Sequence, residues 1–235
     1  MKSLNLSKFD QFIIATKLPV YQTGIARQLK NFGKQYTIVD SPDKLNYIQK
    51  SYTSGVVLFP HWSWKIPSEI LKKFVCIGFH PTDLPFGRGG SPFQNLVRKG
   101  INETVITSFL ISDQMDAGDI LHKSAFKMPQ TKIDLIIKAY ANVIEDQIRI
   151  LMENTIKPRK QVGEVAHFSR ISNNLLDFEK MELDQIFNEI RMVDGVGYTP
   201  AKIEYTNHTL FFSEASLEDG CLTAKVKIVK KVKDE

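Results

Sequence analysis

The sequence has only two cysteines, no long apolar run and none of the common nucleotide-binding motifs, and each absence excludes a class of protein. Cys76 and Cys221 lack metal-ligand spacing, so we expect two buried free thiols in a reducing compartment. No run reaches the roughly 18 to 20 apolar residues of a membrane span, and the first residues lack the charged-then-apolar pattern of a signal peptide. We therefore expect no membrane association and a cytoplasmic location.

Dinucleotides and nucleoside triphosphates are not expected ligands. The turn after the first predicted strand, residues 16–19, carries no G-x-G-x-x-G, and no Walker-type loop occurs in the chain. Nothing in the sequence indicates a metal site. Hydrophobic content of 43% and charged content of 24% are those of an ordinary globular protein.

Charge is divided unevenly along the chain. The formal net charge is +5, but residues 161–235 hold nine Lys and Arg against thirteen Asp and Glu. This part is therefore negatively charged overall, whereas a dedicated nucleic-acid-binding domain is expected to carry a net positive charge. The acidic C-terminal part therefore argues against such a domain.

Short apolar runs alternate with segments of helical period, which predicts an α/β fold. We expect a Rossmann-like, mostly parallel sheet with helices on both faces. Strands are predicted at residues 11–15, 36–40, 55–59, 74–77, 104–111 and 119–126, and helices at 23–32, from 41 onward and at 131–152. Residues 157–160 break the pattern, so we predict an α/β domain over 1–156 and a small C-terminal β-rich subdomain over 157–235.

Three polar segments should gather beyond the carboxyl ends of the strands, where sheets of this kind bind ligands. Residues 60–64 follow the third strand, His80 follows the fourth, and Asp116 lies in a tight turn between two strands. Ser91 can cap the next helix, with Pro92 in its first turn. This helix start favours anionic or carbonyl oxygen ligands.

Two motifs carry a family resemblance. His80-Pro81-x-x-Leu84-Pro85-x-x-Arg88-Gly89-x-x-Pro92, followed by Asp116-Ala117-Gly118-Asp119-Ile120, resembles the folate-dependent formyltransferases, which include methionyl-tRNA and sugar-nucleotide N-formyltransferases. The resemblance is strong over residues 50–125 and implies N10-formyltetrahydrofolate as formyl donor, with His80 and Asp116 as catalytic residues. It also implies a donor-binding set of Gly78, Pro81, Thr82, Asp83, Leu84, Pro85 and Met115.

Acceptor-binding candidates are His61, Trp62, Arg88, Gly89 and Asn95. His61 and Trp62 belong to an aromatic cluster that either packs or stacks on a ligand. Arg88 either holds its own loop or meets substrate phosphates. A histidine beside a carboxylate suits formyl transfer, because a charged imidazole stabilises a developing oxyanion and can shuttle a proton.

One departure from the family concerns the catalytic triad. Members of the family have an asparagine two residues before the histidine, and this chain has Gly78 there. Losing one oxyanion donor typically costs on the order of 100- to 1000-fold in turnover. The replacements we consider are Asn95, His61, Ser63 or backbone N–H groups at Gly78.

The resemblance predicts an N-formyltransferase, and we favour a nucleotide-linked amino sugar as the small-molecule acceptor. Methionyl-tRNA is the alternative acceptor, and the small acidic C-terminal part argues against it. Hydrolysis of formyltetrahydrofolate and non-catalytic binding of folate or sugar are further alternatives. A homodimer is also considered.

Overall fold

A computed structural model describes residues 3–231. The strands are β1 (Leu4–Asn5), β2 (Gln11–Thr16), β3 (Gln35–Val39), β4 (Val56–His61), β5 (Val75–His80), β6 (Arg88–Gly89), β7 (Glu103–Leu110), β8 (Ile120–Lys127), β9 (Thr155–Ile156), β10 (His167–Phe168), β11 (Ala201–Glu204), β12 (His208–Glu218) and β13 (Cys221–Lys230). The helices are α1 (Pro19–Asn31), α2 (Pro42–Ser51), α3 (Ser68–Lys73), α4 (Pro92–Arg98), α5 (Ile133–Glu153) and α6 (Leu183–Arg191), and a 3₁₀ helix covers Leu6–Lys8.

The central sheet has six strands in the order β3-β2-β4-β5-β7-β8. The first four are mutually parallel, whereas β7 pairs antiparallel with both β5 and β8. The predicted α/β fold, with a parallel-containing central sheet and a β-rich C-terminal part, is confirmed. Strands β2, β4 and β5 are buried along nearly their whole length, which is why they read as continuous apolar runs.

The chain forms two compact units, each built from several segments. The first includes residues up to Pro92, then Glu103–Lys127 and Lys138–Phe168, and the second includes Phe93–Asn102, Met128–Ile137 and the chain from Ser169 onward. One core cluster of the first unit contains Ile13, Ala15, Val57, Phe59, Ile70 and Cys76 among others. The core of the second consists of Leu176, Ile186, Ile190, Val193, Ala201 and Phe212, between α6 and the three-stranded sheet β11-β12-β13.

Local signals explain where several elements begin and end. Ser41 caps α2 by accepting a hydrogen bond from the N–H of Lys44, and Pro42 occupies the first turn. Gly33 follows α1 with φ +65°, a left-handed conformation that glycine adopts without strain.

Three features differ from the sequence-based expectations. Helix α3 was not predicted, because six residues are too few to show a helical period. Strand β12 spans His208–Glu218, whereas the apolar pattern of the sequence predicts a strand over residues 209–212 only. Cys221 is exposed, so the expectation of two buried thiols was wrong for that residue, which begins a strand of the small sheet rather than lying in a core. Within residues 3–231, no helix combines the length and apolar character needed to cross a membrane.

Candidate active site

His80 is the last residue of β5, so the strand delivers its imidazole to the carboxyl end of the parallel strands. The residue is only 6% exposed. Its Nε2 lies 2.7 Å from the carbonyl oxygen of Gly87, and because a carbonyl can only accept, Nε2 must carry a proton and donate it. The other ring nitrogen, Nδ1, lies 3.7 Å from Oδ2 of Asp116. When Nδ1 is also protonated, the ring is a cation with a carboxylate beside it.

Asp116 lies in the turn between β7 and β8. Its φ is +50°, a left-handed conformation that aspartate tolerates better than most residues. Oδ2 accepts a hydrogen bond of 2.9 Å from the backbone N–H of Gly89. The pKa of Tyr140 is raised well above its usual value, first by complete burial and then by the negative charge of Asp116. Tyr140 therefore stays a neutral phenol.

Two motif glycines are required by close approaches of the backbone. A Cβ at Gly118 would lie 1.6 Å from the carbonyl oxygen of Leu110, and one at Gly89, where φ is +113°, would lie 2.3 Å from that of Phe168. Backbone atoms cannot swing aside as a flexible side chain can, so neither position accommodates a side chain. The glycines let the turn fold onto β7 and the loop after His80 lie against β10.

Hydrogen bonds from Thr82 and from Thr107 on β7 hold the loop from Pro81 to Pro85 in place. The Thr82 hydroxyl donates to the carbonyl of Phe86 at 2.6 Å, and the Thr107 hydroxyl donates to the carbonyl of Thr82 at 2.8 Å. Leu84 is buried, and the peptide bond between Leu84 and Pro85 is cis. This geometry places the loop residues predicted to bind the donor next to His80 in one ordered segment.

Asp83, which stands where the family usually has leucine, has a partner of its own. The Lys123 ammonium on β8 donates to its carboxylate and, at 2.8 Å, to the carbonyl of Leu84. Lys123 thereby ties the loop to the central sheet. The structure thus gives a physical reason for an acidic residue at this position.

At Gly78, where the family has an asparagine, the nearest side-chain atoms are those of the apolar residues Phe109 and Ile111. A Cβ there would lie 2.7 Å from both Cε1 and Cζ of Phe109 and 3.2 Å from Cγ1 of Ile111. Gly78 and Phe109 are partners in the antiparallel pairing of β5 with β7, so their side-chain directions coincide. The Phe109 ring therefore fills the space that a side chain at residue 78 would take.

The aromatic cluster after β4 lies at the same end of the sheet. His61 stacks on Tyr21 with ring centroids 6.1 Å apart, and Trp62 meets Trp64 edge-on at 4.8 Å. The Trp62 indole N–H is buried and has no hydrogen-bond partner among the described residues. The Trp62 ring also packs against the core cluster that contains Phe59. Lys17 lies over the Trp64 ring at 4.1 Å, which adds a positive charge to this cluster.

Arg88 is buried and bonded within the protein. Its Nε and Nη2 donate to Oε1 of Gln161 at 3.1 and 2.7 Å. The Gln161 amide in turn donates to the carbonyls of Asp116 and Gly118, each at 2.8 Å. Gln161 thus joins both motifs. No sequence pattern indicates this role, because its partners lie at least 43 residues away along the chain.

Three of the candidates named from the sequence remain. Met115 is 70% exposed. Ser63 is also exposed. Asn95, in the second compact unit, donates its amide to the carbonyl of Ser169. Among the described residues, no group of three His, Cys, Asp or Glu side chains is arranged to hold a metal ion.

Formyltransferases are among the known proteins that this chain resembles. Residues 169–229 match the family model described as the C-terminal domain of methionyl-tRNA formyltransferase. A solved structure, methionyl-tRNA formyltransferase from Clostridium thermocellum, is 34% identical, with a TM-score of 0.84 over 94% of this chain and 99% of that one. A sugar N-formyltransferase from a Shewanella species is 14% identical, with a TM-score of 0.64 over 95% of this chain and 99% of that one, and shows the fold alone.

Curated sequences agree over a shorter stretch. Methionyl-tRNA formyltransferase of Bacillus thuringiensis (strain Al Hakam) is 28% identical over 151 residues. The match covers 60% of this chain and 46% of that protein, so the chain spans about half the length of the curated relatives it matches.

Proposed function

The chain belongs to the formyltransferase family, and on this premise we propose that it transfers a formyl group from N10-formyltetrahydrofolate to a primary amine. The observation that carries the proposal is the pair formed by the buried His80 and the partly buried Asp116, with 3.7 Å between Nδ1 and Oδ2. Both residues stand in the two motifs that resemble the family.

The reaction forms a bond between the amine nitrogen and the formyl carbon and breaks the bond from that carbon to N10, while one proton passes from the amine to N10. The amine must attack as the free base, and the oxygen of the formyl group becomes negative on the way. A cationic His80 would stabilise this oxygen, and Asp116 would hold the ring and balance its charge. Low solvent exposure strengthens both effects, because charges interact more strongly away from water.

The wall formed by Phe109 distinguishes this site from the family pattern. An apolar ring donates no conventional hydrogen bond to an oxyanion, so His80 and backbone N–H groups would carry the stabilisation. The Phe109 ring also fills the space at Gly78, two residues before His80, that a water molecule could otherwise occupy.

For the acceptor, we propose a nucleotide-linked amino sugar. The acidic balance of residues 161–235 supports a small acceptor, since a polyanion such as tRNA would be repelled by it. Trp62 and Trp64 are both half-buried, and their exposed parts offer surfaces on which a ligand ring could stack.

Methionyl-tRNA is the second candidate acceptor. The observation that favours it is the match of residues 169–229 to the C-terminal domain model of methionyl-tRNA formyltransferase. The relative that is 34% identical carries the same name.

Release of tetrahydrofolate from N10-formyltetrahydrofolate tests the proposal. We would assay wild type with a panel of uridine- and thymidine-diphosphate amino sugars, with methionyl-tRNA and with no acceptor. Turnover that requires a sugar nucleotide supports the proposal, and turnover with methionyl-tRNA alone moves the acceptor to the second candidate. Turnover without acceptor identifies a hydrolase, and donor binding without turnover identifies a binding protein.

The His80→Gln variant ties the activity to the site. We expect its turnover to fall on the order of 100- to 10,000-fold, the range for loss of a positioned acid-base group. His122→Gln on β8 is the matched control and should keep its activity. Equal activity in wild type and His80→Gln would refute the assignment.

A further inference from the structure

Gln161 has every hydrogen-bonding position of its side-chain amide in use. Its Nε2 donates one proton to the carbonyl of Asp116 and one to that of Gly118, both at 2.8 Å. Its Oε1 accepts from Nε and Nη2 of Arg88. An amide has two donors and two acceptor positions, so these four bonds satisfy it completely.

The four bonds also fix which way the amide points. Arg88 is a donor only, so Oε1 must face it, and the two carbonyls of the turn only accept, so Nε2 must face them. No other acid or amide side chain places an acceptor toward Arg88 and two donors toward the turn. A glutamate has two acceptor oxygens and no donor when ionised, and an asparagine is one methylene shorter. The requirement at position 161 is therefore for glutamine specifically.

The turn that Gln161 holds is the one that carries the carboxylate facing His80. Asp116 adopts a left-handed φ of +50°, which the local chain does not favour by itself. Its side chain is fixed at one point by the N–H of Gly89, next to Arg88 in β6. Gln161 fixes the backbone of Asp116 through the bond to its carbonyl. The bonds from Arg88 join Gln161 to β6, the strand that also contains Gly89.

The segment that bears Gln161 is itself anchored on both sides. Arg159 and Ile120 exchange two backbone hydrogen bonds, of 2.7 and 3.0 Å. Further along, Arg88 donates its backbone N–H to the carbonyl of Ala166 at 3.0 Å, and β10 pairs with β6. Gln161 therefore reaches the turn from a backbone that is tied to β8 before it and to β6 after it.

We propose that Gln161 is a positioning residue for the transfer reaction, which holds the carboxylate of Asp116 in place beside His80. This inference rests on the proposed function, since the pair is the group it positions. Displacing a reacting group by about 1 Å can cost on the order of 100-fold in rate. At metal sites, loss of a residue that orients a ligand costs roughly 10- to 100-fold, and we expect an effect in this range for a residue that orients Asp116.

Two variants separate the two ends of the amide. Gln161→Glu keeps an acceptor for Arg88 but turns an acceptor oxygen toward two carbonyls, whereas Gln161→Ala removes both ends. With the acceptor that supports turnover in wild type, we expect kcat to fall roughly 10- to 100-fold in both variants, while KM for N10-formyltetrahydrofolate changes less than about threefold. Full activity in Gln161→Glu would overturn the proposal, because it would show that only the Arg88 end matters.

Lys160→Ala is the matched control. Lys160 precedes Gln161 in the chain and pairs with Asp119 at 3.0 Å, so it touches the same turn without touching Asp116. Asp119 is buried, so losing Lys160 should lower stability. We nevertheless expect kcat to stay within about twofold of wild type, because Lys160 binds Asp119 rather than Asp116. A fall equal to that of Gln161→Ala would show a general loosening of the turn and would overturn the specific role.

A double-mutant cycle with Asp116→Asn distinguishes positioning from a purely structural role. If Gln161 acts through Asp116, adding Gln161→Ala to Asp116→Asn should lower kcat by less than about threefold. The same 10- to 100-fold fall in both backgrounds would overturn the proposal.

Hydrogen exchange gives a readout that needs no substrate. The backbone N–H groups of residues 116–119 should exchange faster in Gln161→Ala than in wild type, while those of β5 remain unchanged. Unchanged exchange in the turn would show that Gln161 does not stabilise it and would refute the proposal. If wild type turns over no acceptor, both the proposed function and the role of Gln161 in transfer are refuted. Faster exchange in Gln161→Ala would then still show that Gln161 stabilises the turn.

Discussion

The ring of Phe109 occupies the space that a side chain at residue 78 would fill, with 2.7 Å from two of its carbons to the Cβ position of Gly78. The two residues face each other across β5 and β7 at the base of the site. Glycine at 78 and phenylalanine at 109 therefore form one packing unit, and a change at either position has to be judged with the other.

Gly78→Ala should destabilise the protein. The added methyl group must push the Phe109 ring into a packed core, and overpacking of this kind costs roughly 1 to 3 kcal/mol. Urea unfolding of Gly78→Ala, Phe109→Leu and the double variant measures the coupling. We expect the double variant to be more stable than the sum of the single effects predicts. Simple additivity would show that the two positions do not compete for space.

Lys123→Met should cost more stability than Asp83→Leu. The ion pair is partly exposed, so its loss in Asp83→Leu should cost about 1 kcal/mol or less and depend on salt. Lys123→Met also removes the donor to the carbonyl of the buried Leu84, which adds roughly 1 to 3 kcal/mol. Thermal unfolding at low and high salt measures both terms. A larger loss in Asp83→Leu would contradict this account.

Cys76 should make stability fall with rising pH in the alkaline range. Burial raises the pKa of its thiol from 9.0 to about 12. Between these values the unfolded chain loses a proton that the folded chain retains, so the contribution is complete below pH 9 and is lost as pH rises toward 12. Urea unfolding from pH 7 to 10.5 should show a shallower decline in Cys76→Ala. Equal slopes in the two proteins would refute the prediction.

Salt dependence should identify the class of acceptor. A sugar diphosphate carries few charges, so its KM should change only a fewfold between 50 and 200 mM salt. For a nucleic acid held by six to ten phosphate contacts, affinity would fall roughly 1,000- to 100,000-fold over that range. Steady-state kinetics at the two concentrations make the comparison, with KM for the formyl donor as the internal control.

Much of the fold followed from local patterns. Continuous apolar runs marked β2, β4 and β5, and the helical period marked α1 and α5, because burial selects apolar residues at the spacing of each element. Antiparallel pairing of β7 was not foreseen, since the direction of a strand leaves no trace in its composition. Nor could the sequence show that Phe93–Asn102 and Met128–Ile137 group with the chain after Ser169, because that grouping depends on contacts between distant segments.

The sequence by itself determined the strands of the central sheet, the two motifs and the candidates His80 and Asp116, because motif spacing and hydrophobic period are local properties of a chain. Only the tertiary structure decided that Phe109 fills the place left open at Gly78, that Lys123 pairs with Asp83, and that Gln161 ties both motifs together. Each of these contacts joins residues that are 31 to 73 positions apart in the chain. Folding brings such residues together through sheet order and loop closure, so no pattern of neighbouring residues records them.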